Sequence, residues 1–368
     1  SGLHASRHMN YKPRTTYDNE NISRVKSQTD MYKFFSERGY VTGVYSTYHR
    51  INPTYGFFEG VDHGKYCKNY EGFQLSNEIL SQIKFFNNTS NLIFAHYMDA
   101  HHPPKGYRSM DFFLNQKISN KNYDLEEIEE IRKKNIKLKN VYKSYGKIFE
   151  DEKFNSFYFL ENEIIRLLGN IKFENYDDYT IIIFGDHGTK ITNKKNFNLT
   201  LNPDIVETAL FVKDSKYSNI DTNKNIQTID IFPSLVDRYF SSEKSKIKDI
   251  NENGSIFFDS ERREYIIHES IYPHVFKTGK TSDQFGYFQI LVRLDKEMMY
   301  SRFNFNVKQN EINDHIETVF LNYDFENVEV SNKTKEKLRH IAKEHMKKSI
   351  IKIEKNVNFF NEKNNSIL

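Results

Sequence analysis

The stretch Thr180-Ile-Ile-Ile-Phe-Gly-Asp-His-Gly188 decides how the rest of the chain is read. Its first five residues are a short β-branched and aromatic run of strand length, the pattern of a strand covered on both faces. A purely structural strand would end in ordinary turn residues. This one delivers a carboxylate and an imidazole to its carboxyl tip, the edge at which open α/β sheets bind ligands. Carboxylate oxygen with imidazole nitrogen suits a divalent cation. Asp186 and His187 are therefore candidate metal ligands, half of the set a catalytic ion takes. The bland alternative is an Asp capping the next turn beside a surface His.

Outward from this strand, helical patterns alternate with short apolar runs, as in βαβ units around a parallel sheet. A helix over Asp30–Arg38 ends at Gly39 and leads to a strand at Val41–Tyr45. A helix over Asn77–Phe86 precedes a strand at Asn91–Tyr97, and Phe157–Leu168 precedes Tyr179–Phe184, expected as the most buried strand. Thr208–Val212 reads as a strand and Ile229–Phe240 as a helix. The charged segment from Lys117 to Lys153 reads as a long solvated helix, the alternative being an insertion that covers the site. After Gly254 the character changes. Tyr265–His268, Tyr287–Val292 and Thr318–Leu321 read as strands of a smaller antiparallel sheet, closed by an amphipathic helix over Thr334–Lys348. The expected class is α/β, a mainly parallel sheet flanked by helices over residues 1–253. A small antiparallel α+β subdomain follows over 254–355, then a polar tail over 356–368.

Bulk properties narrow the function. With 368 residues the chain can bury a substantial core, and 28% charged against 38% hydrophobic residues is a globular balance. A net charge of +3, with cations scattered among nearly equal acids, gives no argument for a nucleic-acid partner. The single cysteine, Cys67, excludes an internal disulfide and a cysteine-based zinc cage. No apolar run approaches the roughly 20 residues of a membrane-spanning helix.

Two further strands end in reactive residues. Leu92-Ile-Phe-Ala-His-Tyr-Met-Asp-Ala-His-His-Pro-Pro104 carries Asp99, His101 and His102 at its tip, and Val41-Thr-Gly-Val-Tyr-Ser-Thr-Tyr-His49 carries His49.

Five segments in order resemble the sulfatase branch of the alkaline phosphatase superfamily. Gly-Asp-His-Gly at 185–188 looks like its metal-binding signature, and 96–104 like its Asp-x-His-x-Pro strand end. Thr228-Ile-Asp-Ile-Phe-Pro-Ser-Leu-Val-Asp237 resembles the helix that follows. Gly39-Tyr-Val-Thr-Gly43 and Gly56-Phe-Phe-Glu-Gly-Val-Asp62 resemble the segments on either side of the substrate-binding loop. The resemblance implies an alkaline phosphatase-like fold and a divalent ion (Ca2+, or Mn2+/Mg2+) on Asp186 and His187. It further implies His101 in contact with the substrate's charged ester and His49 assisting. Asp99, His102 and Lys190 are candidates for holding the substrate, and Asp99 also suits a role orienting His101.

Ser1-Gly-Leu-His-Ala-Ser-Arg-His8 resembles the segment that closely follows the nucleophile in these enzymes. The resemblance then places the nucleophile and first strand upstream of Ser1, so none is expected in this chain. His8-Met9 also reads as a cloning junction, but Gly2, Leu3, Arg7 and His8 all fall in the family's register. Cys67 lacks the small residue and arginine that follow a formylglycine precursor.

The loop before His49 reads Ser46-Thr47-Tyr48-His49, where many members hold a lysine at the position of Thr47. A second cation is expected before the strand at Thr208, but Asn196–Leu201 offers none. Fewer cations weaken a clamp for a highly charged transition state. The leading expectation is a metal-dependent hydrolase of sulfate or phosphate esters on a carbohydrate. The alternatives are a phosphoethanolamine or phosphoglycerol transferase acting on a glycan or lipid-linked sugar, and a non-catalytic member.

Overall fold

In a computed structural model, the structure describes residues 31–48, 51, 60–66, 72–99, 157–188, 201, 203–217, 225–243, 257–258, 263–275, 281–306, 309–322, 326–349, 351–355 and 357. These fall into two compact units, one within Asp30–Asp177 and one within Asp178–Leu368.

The first unit is a parallel sheet with helices. Helix α1 (Met31–Ser36) leads to β1 (Val41–Ser46). Then come β2 (His63–Tyr66), α2 (Gly72–Phe85), β3 (Asn91–His96) and helical residues 157–170, here α3. The sheet order is β2-β1-β3, both pairings parallel, with Val41 opposite Asn91 and Ser46 opposite His96. Strand β1 is central and buried from Thr42 onward. Helix α2 starts five residues before the expected Asn77, because Leu75, Ile79 and Ile83 continue one stripe at helical spacing. That stripe packs on Tyr45, Ile93, Ala95 and Leu167. Gly43 permits the close approach, since a Cβ there would overlap the side-chain oxygen of Gln82. That oxygen instead accepts the Tyr45 hydroxyl at 2.5 Å. Gly39 ends the first helical turn at a φ of 82°, a conformation that favours glycine.

The second unit opens with β4 (Thr180–Phe184), a short helix α4 (Pro203–Val206), β5 (Leu210–Asp214) and α5 (Ile231–Tyr239). Strands β4 and β5 pair antiparallel, Phe184 opposite Leu210. The expectation that β4 is the most buried strand fails: all five of its residues are half-buried, and β8 below is far better covered. An apolar run marks a strand without marking which faces other layers cover.

A five-stranded sheet follows, built from β6 (Tyr265–Val275), β7 (Thr281–Leu294), β8 (Glu297–Asn306), β9 (Glu311–Leu321) and β10 (Lys352–Ile353), in the order β10-β9-β8-β7-β6. Its pairings are antiparallel except β10 on β9. One face packs Phe288, Ile290, Val292, Met299 and Phe303 against Leu338, Ile341, Ala342 and Met346 of α6 (Asn332–Lys347). The opposite face packs Leu291, Met298, Tyr300 and Leu321 on Leu201 and Val206. Ser331 caps α6 by accepting the Thr334 amide at 3.2 Å. The chain is thus mixed α/β: a parallel sheet with helices and a separate antiparallel sheet, as the sequence reading expected. No described helix is long and apolar enough to cross a membrane.

Candidate active site

The segment Gly185–Gly188 leaves the carboxyl end of β4 on a backbone fixed by its neighbours. The Gly185 amide donates to the Ala209 carbonyl at 3.1 Å and the Gly188 amide to the Ile205 carbonyl at 2.9 Å. Gly185 must be glycine here, because a Cβ would overlap the Thr208 hydroxyl and sit 3.3 Å from its Cβ. With both ends anchored, the two central side chains project outward. Asp186 is 61% exposed and His187 57%.

Local contacts orient both donors. Asp186 Oδ1 accepts the His187 amide at 2.9 Å. His187 Nδ1 faces the Gly188 carbonyl oxygen at 2.6 Å. A carbonyl only accepts, so Nδ1 carries a proton, and in the neutral ring the lone pair lies on Nε2. Nε2 stands 3.9 Å from Asp186 Oδ2, beyond hydrogen-bond reach but on the same tip. A carboxylate oxygen and the Nε2 of an imidazole whose Nδ1 is turned to a carbonyl, exposed side by side, are donor types that suit a divalent cation. They are two donors and not a cage: no group of three or more His, Cys, Asp or Glu gathers among the described residues.

Asp99 ends the other strand, three residues after β3 in the first unit. It is fully buried. Neither of its oxygens makes a hydrogen bond of normal geometry among the described residues. Burial pushes its pKa from 3.8 up to about 6; the amides of Gly72 and of Asp99 itself oppose the rise, and the Glu163 charge adds to it. His49, His101, His102 and Lys190 lie outside the described residues, as do Cys67, the charged segment 117–153 and the segment 1–8.

Thr47 has a role that sequence reasoning missed. It is fully buried at the tip of β1. Its hydroxyl accepts the Met98 amide at 2.9 Å and donates to the His96 carbonyl at 3.3 Å, while its own amide donates to that carbonyl at 3.1 Å. Thr47 thus clips the end of β1 to the end of β3, and Tyr48 stacks on His96 with centroids 5.6 Å apart. Nothing in the residue types signals this; only the parallel register does.

The helix motif at 228–237 is also structural. Asp230, fully buried, accepts the Gln227 amide at 2.7 Å and pairs with Arg263. Ser234 accepts the Phe257 amide at 3.0 Å. The motif seats α5 against the segment that enters β6.

No protein-family model matches the sequence, and a search among curated proteins gives no match. Solved structures do match. One, from Bacteroides thetaiotaomicron, is designated 4S-sulf and belongs to work on metabolism of multiple glycosaminoglycans; the TM-score is 0.52 at 13% identity, over 84% of this chain and 74% of that one. Another is a Vibrio parahaemolyticus protein of the alkaline phosphatase superfamily, at TM-score 0.45 and 15% identity, over 88% and 71%. On the first of these similarities, the chain shares the fold of the Bacteroides thetaiotaomicron structure designated 4S-sulf.

Proposed function

We propose that the chain is the body of a metal-dependent, sulfatase-like hydrolase of sulfate or phosphate esters on a carbohydrate. The observation that carries this reading is the pair at the β4 tip, two exposed donors with the His187 ring turned so that Nε2 lies on the side of the Asp186 carboxylate. Asp186 and His187 would hold the ion. Bound there, a divalent cation supplies positive charge to the ester oxygens. Asp186 Oδ1 fixes the backbone of the turn, and the Gly188 carbonyl fixes the imidazole tautomer. By resemblance, His101 contacts the ester and His49 assists.

The fold similarity supports this reading, and so does the 4S-sulf designation of the Bacteroides thetaiotaomicron structure, with its link to glycosaminoglycan metabolism. The test is calorimetric titration of the full chain with Mn2+ and with Ca2+. Asp186→Asn and His187→Ala should each weaken binding about tenfold or more. Equal affinity in both variants and the wild type would sink the assignment.

Thr47 favours a second reading, transfer of phosphoethanolamine or phosphoglycerol. Its hydroxyl is committed to Met98 and His96, where many members place a substrate-clamping lysine. A site short of one cation suits a singly charged phosphodiester better than a doubly charged phosphate monoester. Tighter calorimetric binding of glycerophosphoethanolamine than of a sulfated sugar to the Mn2+-loaded chain would favour the transferase reading, and the reverse order would count against it.

A further inference from the structure

Asp99 presents the least ordinary environment of any carboxyl in the described residues. It is 0% exposed, with neither oxygen hydrogen-bonded among those residues. Gly72, the first residue of α2, packs so closely that a Cβ there would lie 2.8 Å from Asp99 Oδ2 and 3.1 Å from the ring of Tyr97. That side is filled by the α2 backbone, whose Gly72 amide faces the carboxyl without reaching normal hydrogen-bond geometry.

Among the described residues, no cation pairs with Asp99. From α3 comes Glu163, itself buried, whose carboxylate is paired with Arg166 at 2.8 Å. Arg166 is the cation of this cluster, and it is committed further to Asn77 at 3.0 Å and the Phe73 carbonyl at 3.2 Å. On the strand side, the Tyr97 hydroxyl is hydrogen-bonded to Ser76 at 2.9 Å, and Ser76 in turn donates to the Gly72 carbonyl. From α2 only the Gly72 amide faces the carboxyl. An ionised Asp99 would be a buried negative charge beside a second one, whereas the neutral acid is far less costly to enclose.

We propose that Asp99 is a proton-dependent latch between β3 and α2: as the neutral acid it lets the two elements close tightly, and on ionising it loosens them. The unit within Asp30–Asp177 is then firmest in mild acid, together with the strand end that leads to His101. The inference rests on the placement of Asp99 and holds whether or not the ester-hydrolase reading does.

The sign follows from linkage. With a folded pKa of about 6 against 3.8, the unfolded chain binds fewer protons between those values, so stability falls as pH rises through that window and stays lower above it. The full effect is about a hundredfold in the folding equilibrium. The test compares urea unfolding of the full wild-type chain and Asp99→Asn. From about pH 4.5 to about pH 7.5, the wild type should lose at least about tenfold in folding equilibrium relative to the variant.

A second readout needs no variant. In protein labelled at its glycine amides, the Gly72 resonance should titrate with a midpoint near 6 in the wild type. If Asp99→Asn does not fold, this titration decides. A wild-type-to-variant ratio that is flat with pH overturns the proposal, as does a Gly72 amide that titrates only below about pH 5 or not at all.

Discussion

Asp62 holds Thr42 at both its backbone and its side chain. Oδ2 of Asp62 accepts the Thr42 amide at 2.8 Å and faces the Thr42 hydroxyl at 2.9 Å, while the Asp62 amide donates to that hydroxyl at 3.1 Å. Thr42 is fully buried, so its amide depends on this partner. Asp62→Ala should therefore cost about 1–3 kcal/mol, the penalty of a buried polar group left unpaired. Asp62→Asn should cost less, because an amide oxygen still accepts. Urea unfolding followed by circular dichroism measures both, and identical losses for Ala and Asn would show that the hydrogen bonds contribute little.

The turn that carries the candidate metal ligands depends on a close approach of Gly185 to Thr208. A Cβ at position 185 meets the Thr208 hydroxyl first, with the Thr208 Cβ at 3.3 Å behind it. Gly185→Ala should destabilise by about 1–3 kcal/mol, as overpacking does, and should weaken divalent-ion binding by displacing Asp186 and His187. Adding Thr208→Gly removes the obstructing atoms. The double variant should recover most of both losses, and a cycle that shows plain additivity would mean the two residues do not meet.

At the other end of β4, Arg238 neutralises a buried acid. Its Nε donates to Asp214 Oδ2 at 2.9 Å, with Arg238 3% exposed and Asp214 fully buried, and it also pairs with Asp178. Burial pushes the Asp214 pKa up, but hydrogen bonds from Arg238, from Thr180 and from the Lys216 and Tyr217 amides outweigh it and leave the pKa lowered. A lowered carboxyl contributes stability above its unfolded value and loses it as pH falls below that value. Arg238→Leu should cost about 3–5 kcal/mol at neutral pH, the cost of an unpaired buried charge. The gap to wild type should narrow in acid below about pH 4. A gap that stays constant into acid would mean that Asp214 does not depend on Arg238.

The parts of the fold legible in the sequence are those where one residue type meets one physical need. Gly39 takes a positive φ, Gly43 and Gly185 make room for a neighbour, and the apolar runs of β1, β3 and β4 mark strands. Strand β8 escaped notice because Glu297-Met-Met-Tyr-Ser-Arg-Phe-Asn-Phe-Asn306 mixes Met, Ser and Asn into its alternation; pairing on both sides holds it in the sheet. Strand β2 is only four residues and mostly exposed, held by β1 rather than by its own composition. At the candidate site, Asp186 and His187 were legible because they are chemical groups at a strand tip. Thr47 was not, because its function is set by which strand lies beside it.

The antiparallel sheet should respond to acid in the sense opposite to Asp99. His268, on β6 opposite Leu291, has its pKa pushed down from 6.5 to about 4, by burial first and then by the charges of Arg293 and Arg263. The unfolded chain binds more protons than the folded one between those values, so this residue makes stability rise as pH rises from about 4 to about 6.5. The linkage amounts to about 3 kcal/mol. His268→Leu removes the titrating group and fills the site with apolar volume. Its stability relative to wild type should be greatest near pH 4 and decline toward neutrality, the reverse of the Asp99→Asn series. Hydrogen exchange assigns each slope to its own unit: amides of β7 and β8 should lose protection in acid, while those of β1 and β3 lose it as the solution becomes neutral. Parallel slopes in both units would show that neither buried group governs the one that contains it.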